Sequence, residues 1–282
     1  MRVKKLLHLM VLTLLCISCN ADFEESTTSS KNKVNNIDEY IALGKLHNEL
    51  LEVAENICTI AKSRSEDYPY IGNDSALFRQ IHTKQLMAVE EMPISESEKM
   101  FFKASLNENI RFYQTDNVYE TLNGSNNTVN ILVDLHKLYM EGIIDHQEEA
   151  LLKILTFAVN SNRRDGDHTK LKVTITTLCK KWENYYEDKD EKAGEFSGQI
   201  LGIAKASVDW WDENSMETRA LPAWIGADAA GAIIGAIHNA GTQYLVNKNV
   251  DLRQVGYHAL GGAVISSTGI VKCVAVWINK IL

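Results

Sequence analysis

Residues 223–240 read AWIGADAAGAIIGAIHNA, and this stretch decides the fold class. Ala223, Ala227, Gly231 and Gly235 recur every four residues, and Ala232, Ala236 and Ala240 form a second row of small residues beside them. Such spacing lies close to the 3.6-residue turn of an α-helix, so both rows share one broad face. A face without side-chain bulk lets the backbone of a second helix approach closely. The expected partner is the next segment, where Ala259, Ala263 and Ser267, with Gly262 and Ser266 alongside, repeat the spacing. Asn247, Lys248 and Asn249 supply the turn between the two. Residues 221–282 are therefore expected to form a glycine-zipper helical hairpin whose packing stripe is Ala227, Gly231, Gly235, Gly262 and Ser266.

Three uses of that hairpin compete. It can be a core element packed on the rest of the chain, an oligomerisation or partner-docking element, or a membrane-active one. In the last case it resembles glycine-rich bacteriocins and pore-forming peptides in composition and periodicity. Residues 259–279 carry a single charge, Lys272, and are apolar enough to lie in or across a bilayer. Residues 223–246 contain Asp228, His238, Asn239 and Gln243, which would enter lipid only at a cost and with a partner.

Upstream, residues 37–220 read as an acidic string of helices. Leu43, His47, Leu50, Ala54, Ile57 and Ala61 mark one face of a helix over 38–63, and Phe78, Ile81, Gln85, Leu86 and Val89 mark another over 75–90. Ser95 followed by Glu98 is a capping box that opens a third. A helix over 129–141 ends at Gly142, which suits the left-handed C-terminal position, and Asp145 with Glu148 caps the next one through Phe157. Residues 171–182 alternate like a strand at Leu171, Val173 and Ile175, but Leu171, Ile175, Leu178, Cys179 and Trp182 fit a helix in this all-helical setting. A last helix is expected over 191–211. The fold class is thus all-α: an irregular multi-helix bundle ending in a Gly/Ala-rich hairpin.

The 282-residue chain is 45% hydrophobic, enough to bury a core, which excludes a wholly disordered chain. Its net charge is −8, with residues 1–220 at −10 and residues 221–282 at +2, and no basic stripe is present. Nucleic acid is therefore excluded as a partner, because the chain would repel a phosphate backbone.

The N-terminus carries an address. Arg2, Lys4 and Lys5 precede an apolar run from Leu6 to Ile17 that suits an export signal and is too short to span a bilayer. Leu15-Cys16-Ile17-Ser18-Cys19 resembles the lipobox at which bacterial lipoprotein precursors are cleaved and acylated, with Cys16 standing where the pattern usually has Leu. The resemblance implies a signal peptide over 1–18, lipidation of Cys19 and anchoring to the bacterial envelope, most simply the outer membrane. Residues 19–36, rich in Ser, Thr, Asn and charge, then read as a tether. The lipobox, the tether, the early run Gly44-Lys45-Leu46-His47-Asn48-Glu49 and the C-terminal hairpin together resemble a group of Bacteroidetes-type lipoproteins with no assigned activity. The resemblance implies location and architecture, with the membrane as partner through the lipid and an envelope protein or a second copy as a further one.

No catalytic residue, metal site or cofactor is assigned from the sequence. There is no G-x-S-x-G, Walker-type loop, dinucleotide fingerprint or H-E-x-x-H. His47, with Asn48 and Glu49, lies on or beside an apolar face and reads first as a core residue. Asp134, His136, Asp145, His146, Glu148 and Glu149 gather around one turn, but Asp134 and His136 point in opposite directions on a helix and Asp145 and Glu148 serve as a cap. Asp165-Gly166-Asp167 lacks the further ligands of a calcium loop, and Asp74-Ser75-Ala76 reads as a helix cap before it reads as a glycosylation motif. Cys58 and Cys179 read as buried thiols. The expected function is a non-catalytic binding or structural role at the envelope, ahead of a bacteriocin-like, membrane-active role for the hairpin and of a metal-dependent hydrolase.

Overall fold

A computed structural model of the chain describes residues 35–63, 74–114, 125–165, 168–190, 192–214 and 221–281. The signal peptide, Cys19 and most of the tether lie outside the described residues, as do Gly166 and Asp167 of the acidic triplet and the side chains of Asp74, Ser75, Cys58 and Cys273. All regular structure among the described residues is helical: α1 (Ile37–Ser63), α2 (Asp74–Glu91), α3 (Glu96–Gln114), α4 (Ser125–Met140), α5 (His146–Asp165), α6 (His168–Tyr186), α7 (Glu195–Asn214), α8 (Leu221–Asn247) and α9 (Leu252–Ile281).

Local signals set most of these boundaries. Ser95 and Glu98 form a reciprocal cap: the Ser95 N–H donates to Glu98 Oε2 at 2.8 Å and the Glu98 N–H to Ser95 Oγ at 3.3 Å. Asp145 and Glu148 repeat the arrangement at 3.0 and 2.8 Å. Gly142 takes φ +72° just past the end of α4, the left-handed position expected of it. The segment read as ambiguous is helical as α6, with Leu171, Ile175, Leu178 and Trp182 buried. The last helix of the acidic segment starts at Glu195 rather than at 191, because Gly194 turns the chain at φ +78° against the Tyr186 ring. At the hairpin turn the left-handed residue is Lys248, at φ 56°, instead of either flanking Asn.

The composition break at 220/221 is not a break in the fold. Residues 34–282 make one compact unit, and α8 and α9 share its largest helix–helix interface. Around the pair lie α1, α3 and α7, with α3 and α1 on α9 and α7 and α5 on α8. The small-residue stripe is what the hairpin closes on. A Cβ built on Gly231 would strike the backbone carbonyl of Gly262, one on Gly262 would strike that of Gly231, and one on Gly235 would strike that of His258. Ala227 and Ser266 are buried with them. Among the described residues no helix is long and apolar enough to cross a membrane.

Candidate functional site

The fold brings a set of buried polar groups together where α1, α7 and α8 meet. Gly44 allows this crossing: a Cβ there would lie 2.6 Å from the Ala206 Cβ and 2.8 Å from the Ile203 Cα of α7. On α7, a Cβ at Gly202 would strike the backbone of Tyr40, and at Gly198 it would lie 2.7 Å from the Tyr40 ring. One turn beyond Gly44, His47 and Asn48 enter the seam, facing Ser207 of α7 and Asp228 of α8. His47, Ser207 and Asp228 have no exposed surface, and Asn48 is buried.

The hydrogen bonds dictate the protonation states. Asn48 Nδ2 donates to the Ala206 carbonyl at 3.2 Å, so its Oδ1 is the acceptor for His47 Nδ1 at 2.9 Å and that nitrogen carries a proton. The other ring nitrogen, Nε2, lies 3.2 Å from Asp228 Oδ1, off the line of a well-aligned hydrogen bond. A neutral ring would aim a lone pair at a carboxylate there; an imidazolium aims a positive N–H. Burial opposes the charge on His47, but attraction to the adjacent Asp228 carboxylate, with the hydrogen bond to Asn48, outweighs it and leaves the pKa above its ordinary value. Ser207 Oγ donates a hydrogen bond to Asp228 Oδ2. The chain of contacts runs Asn48, His47, Asp228, Ser207.

This order limits the chemistry. In a Ser–His–Asp triad the imidazole stands between the hydroxyl and the carboxylate and takes the hydroxyl proton. Here the carboxylate stands in the middle and the imidazole makes no hydrogen bond to Ser207 Oγ, so His47 is not placed to take the hydroxyl proton. With every member enclosed, the network joins three helices and presents nothing to an outside molecule. Sequence reading placed His47 on this face and singled out Asp228 in the hairpin, but it did not join the two, missed Ser207, and left Glu49 beside His47. Glu49 is on the exposed side of α1.

The acidic residues around the α4–α5 turn separate into local contacts. Asp134 accepts from Lys137 Nζ at 2.8 Å, while His136 Nδ1 lies 2.9 Å from Glu149 Oε1, which also holds Lys153 Nζ at 2.5 Å. The His146 ring packs edge-on to Tyr139. Glu148 and Glu149 are both buried; beyond its cap, Glu148 Oε1 accepts from the Ser197 N–H at 3.0 Å and Oγ at 3.2 Å. Burial pushes its pKa up to about 7, against the pull of those donors. Asp145 also accepts from Tyr186 Oη at 2.7 Å, so this second network ties α5 to α6 and α7. Among the described residues no group of three His, Cys, Asp or Glu side chains converges to hold a metal ion. Cys179 is buried with its Sγ 3.8 Å from the Leu201 carbonyl, and burial drives the thiol up to about 12, far from the thiolate form. Of the adjacent Trp210 and Trp211, Trp211 is core and Trp210 packs at its edge, with ring centroids 4.3 Å apart.

One shallow groove of about 210 Å³ runs between α5 and α6, lined by Ile154, Phe157, Ala158, Asn162, Leu171 and Thr174. It is smaller than the cavities that enclose drug-sized ligands.

Comparison with known protein families, with curated proteins and with solved structures gives no match.

Proposed function

We propose that the chain is an exported, lipid-anchored envelope protein, held through Cys19, with a helical body in a non-catalytic binding or structural role. The lipobox-like run ending at Cys19 supports the location. The non-catalytic part rests on one observation: the most chemically capable cluster, His47, Asp228 and Ser207, is enclosed and uses its charges and hydrogen bonds to join helices. The test is expression in a bacterial host supplied with labelled palmitate. Wild-type chain should take up label and sediment with membranes, and Cys19→Ser should do neither. A wild-type chain without label, or label retained by the variant, would overturn the anchoring.

A second reading, a membrane-active hairpin with bacteriocin-like action, is favoured by α8, which is apolar and small on nearly every side, as membrane and deep-core helices are. Its stripe faces α9, so action on lipid requires α1, α3 and α7 to part from the pair. Dye release from liposomes by the purified lipid-free chain, absent from a truncation ending at Ala220, is the result this reading requires. Absence of release from the full chain removes it.

A further inference from the structure

The α2–α3 pair covers the flank of α9 away from the His47 network. Its principal contacts are with α9 and α1. It is seated by close packing: a Cβ on Gly261 would strike Ser105 Oγ, Phe102 packs on Tyr257 with ring centroids 5.8 Å apart, and Gln85 Nε2 donates to Thr268 Oγ1 at 3.0 Å and the Leu50 carbonyl at 3.2 Å. Two buried histidines bear on the cover, His82 within the α2–α3 pair and His258 where α3 meets α9. His82 of α2 is buried between α2 and α3, close to the backbone of Leu106, and its Nε2 makes no well-aligned hydrogen bond. His258 of α9 faces Glu108 of α3, Nδ1 to Oε2 at 3.4 Å, and that carboxylate also faces His238 of α8, Oε1 to Nδ1 at 3.6 Å.

We propose that the α2–α3 pair is an acid-released cover over α9, with His82 and His258 as its proton-sensing groups. Protonating His82 puts a positive charge on a buried ring whose Nε2 makes no well-aligned hydrogen bond and which has no carboxylate partner among the described residues. Protonating His258 adds a positive charge to a mostly buried ring that shares one half-exposed carboxylate with a second imidazole. Both rings consequently sit below the ordinary histidine pKa: burial lowers both, contact with Leu106 partly offsets this for His82, and for His258 Glu108 opposes burial while His238 adds to it. Further charged groups at this seam among the described residues include Glu98 and Arg253, which act on neighbouring Tyr257, and Lys103, which pairs with Glu90 across α2 and α3.

A histidine with a depressed folded pKa favours the closed cover above its ordinary pKa of 6.5 and the open one as pH falls below it. His47, shifted the other way, keeps its pair with Asp228 in acid. Acid therefore lifts one layer and uncovers Tyr257, Gly261 and Thr268, while the hairpin stays held to α1 and α7. At pH 5.5 each imidazole that takes its proton only when exposed raises the open population by up to about tenfold.

The test is hydrogen exchange of the full chain at pH 7.5 and 5.5, corrected for the intrinsic pH dependence of exchange. Protection of α3 amides should drop severalfold or more at pH 5.5, while that of α7 holds. Equal protection of α3 at both pH values in wild type, or a drop shared equally by α7, would overturn the proposal without any variant. The double variant His82→Gln, His258→Gln should lose the acid response, and a retained response would count against it. Glu108→Gln removes the anion that favours a charged His258 and should enlarge the drop; a drop abolished in that variant would make Glu108 the sensor instead.

Discussion

Replacing Asp228 by Ala tests whether the α1–α7–α8 network holds the hairpin in place. The change strands an imidazole at full burial, leaves Ser207 Oγ without its acceptor and opens a small void. Breaking a buried ion pair from one side costs about 3–5 kcal/mol. In a body of this size each kcal/mol moves Tm by about 2–4 °C, so the expected loss is roughly 6–20 °C. Asp228→Asn separates charge from hydrogen bonding. With His47 neutral and its Nδ1 proton still donated to Asn48, the new amide can donate to Nε2 while its oxygen accepts from Ser207. The Asn variant should therefore lose only about 1–2 kcal/mol. The pH dependence gives an independent reading. Because the folded pKa of His47 is raised, its contribution is complete below the unfolded value of 6.5 and disappears as pH rises through the folded value. Urea unfolding followed by tryptophan fluorescence between pH 6 and 9.5 should show that alkaline loss in wild type and not in Asp228→Asn. An Asp228→Ala chain within about 1 kcal/mol of wild type would refute the reasoning.

Substitutions along α8 should divide sharply by position. Gly231→Ala forces a Cβ into the Gly262 carbonyl and should cost several kcal/mol or separate the hairpin, since backbone cannot step aside as a side chain can. Gly241→Ala meets nothing within 4 Å on the same helix and should add about 0.5–1 kcal/mol, so denaturant midpoints of the two variants should move in opposite directions. Glu148→Gln should change the pH profile more than the neutral stability. A carboxyl raised to about 7 contributes most below its unfolded pKa and loses that contribution as pH rises towards 7, on the order of 3 kcal/mol for one such group. The difference between wild-type and Glu148→Gln unfolding free energies from pH 4.5 to 8 isolates this slope, and a flat difference would contradict the shift.

The helical class and the hairpin were legible because their signals are short-range. Ser95 with Glu98, Asp145 with Glu148 and Gly142 each act within one turn, and the small rows of α8 and α9 repeat every four residues. The α1–α7 crossing was not read, although Gly44 and the pair Gly198 and Gly202 carry it. Glycine inside a helix is usually a liability, and here it is tolerated because the opposing backbone occupies the space of the missing Cβ. The C-terminal half of α3 carries a weak signal for a related reason, since its buried face includes Ser105 and Asn109, and Asn109 satisfies itself on Ser105. The site was half legible. His47 stood out on an apolar face and Asp228 stood out as a charge in an apolar helix. Each implied a partner, but the partners are 181 positions apart in sequence and no local pattern joins them.

Buried charges at the two flanks of the hairpin respond to pH in opposite senses, and this bears on the choice between a structural and a membrane-active hairpin. On the α1–α7 flank, acid keeps His47 charged and the Asp228 pair intact. On the α2–α3 flank, acid charges His82 and His258, which the closed seam disfavours. A hairpin released whole by acid would need both flanks to weaken together, and here one holds while the other loosens. Lipid insertion of α8 would also strip Asp228 of His47 and Ser207 and carry its carboxyl, charged or newly protonated, into hydrocarbon. Acid alone thus opens a surface on α9 without freeing α8, which favours a body that presents a face to a partner over one that discharges its core into a membrane.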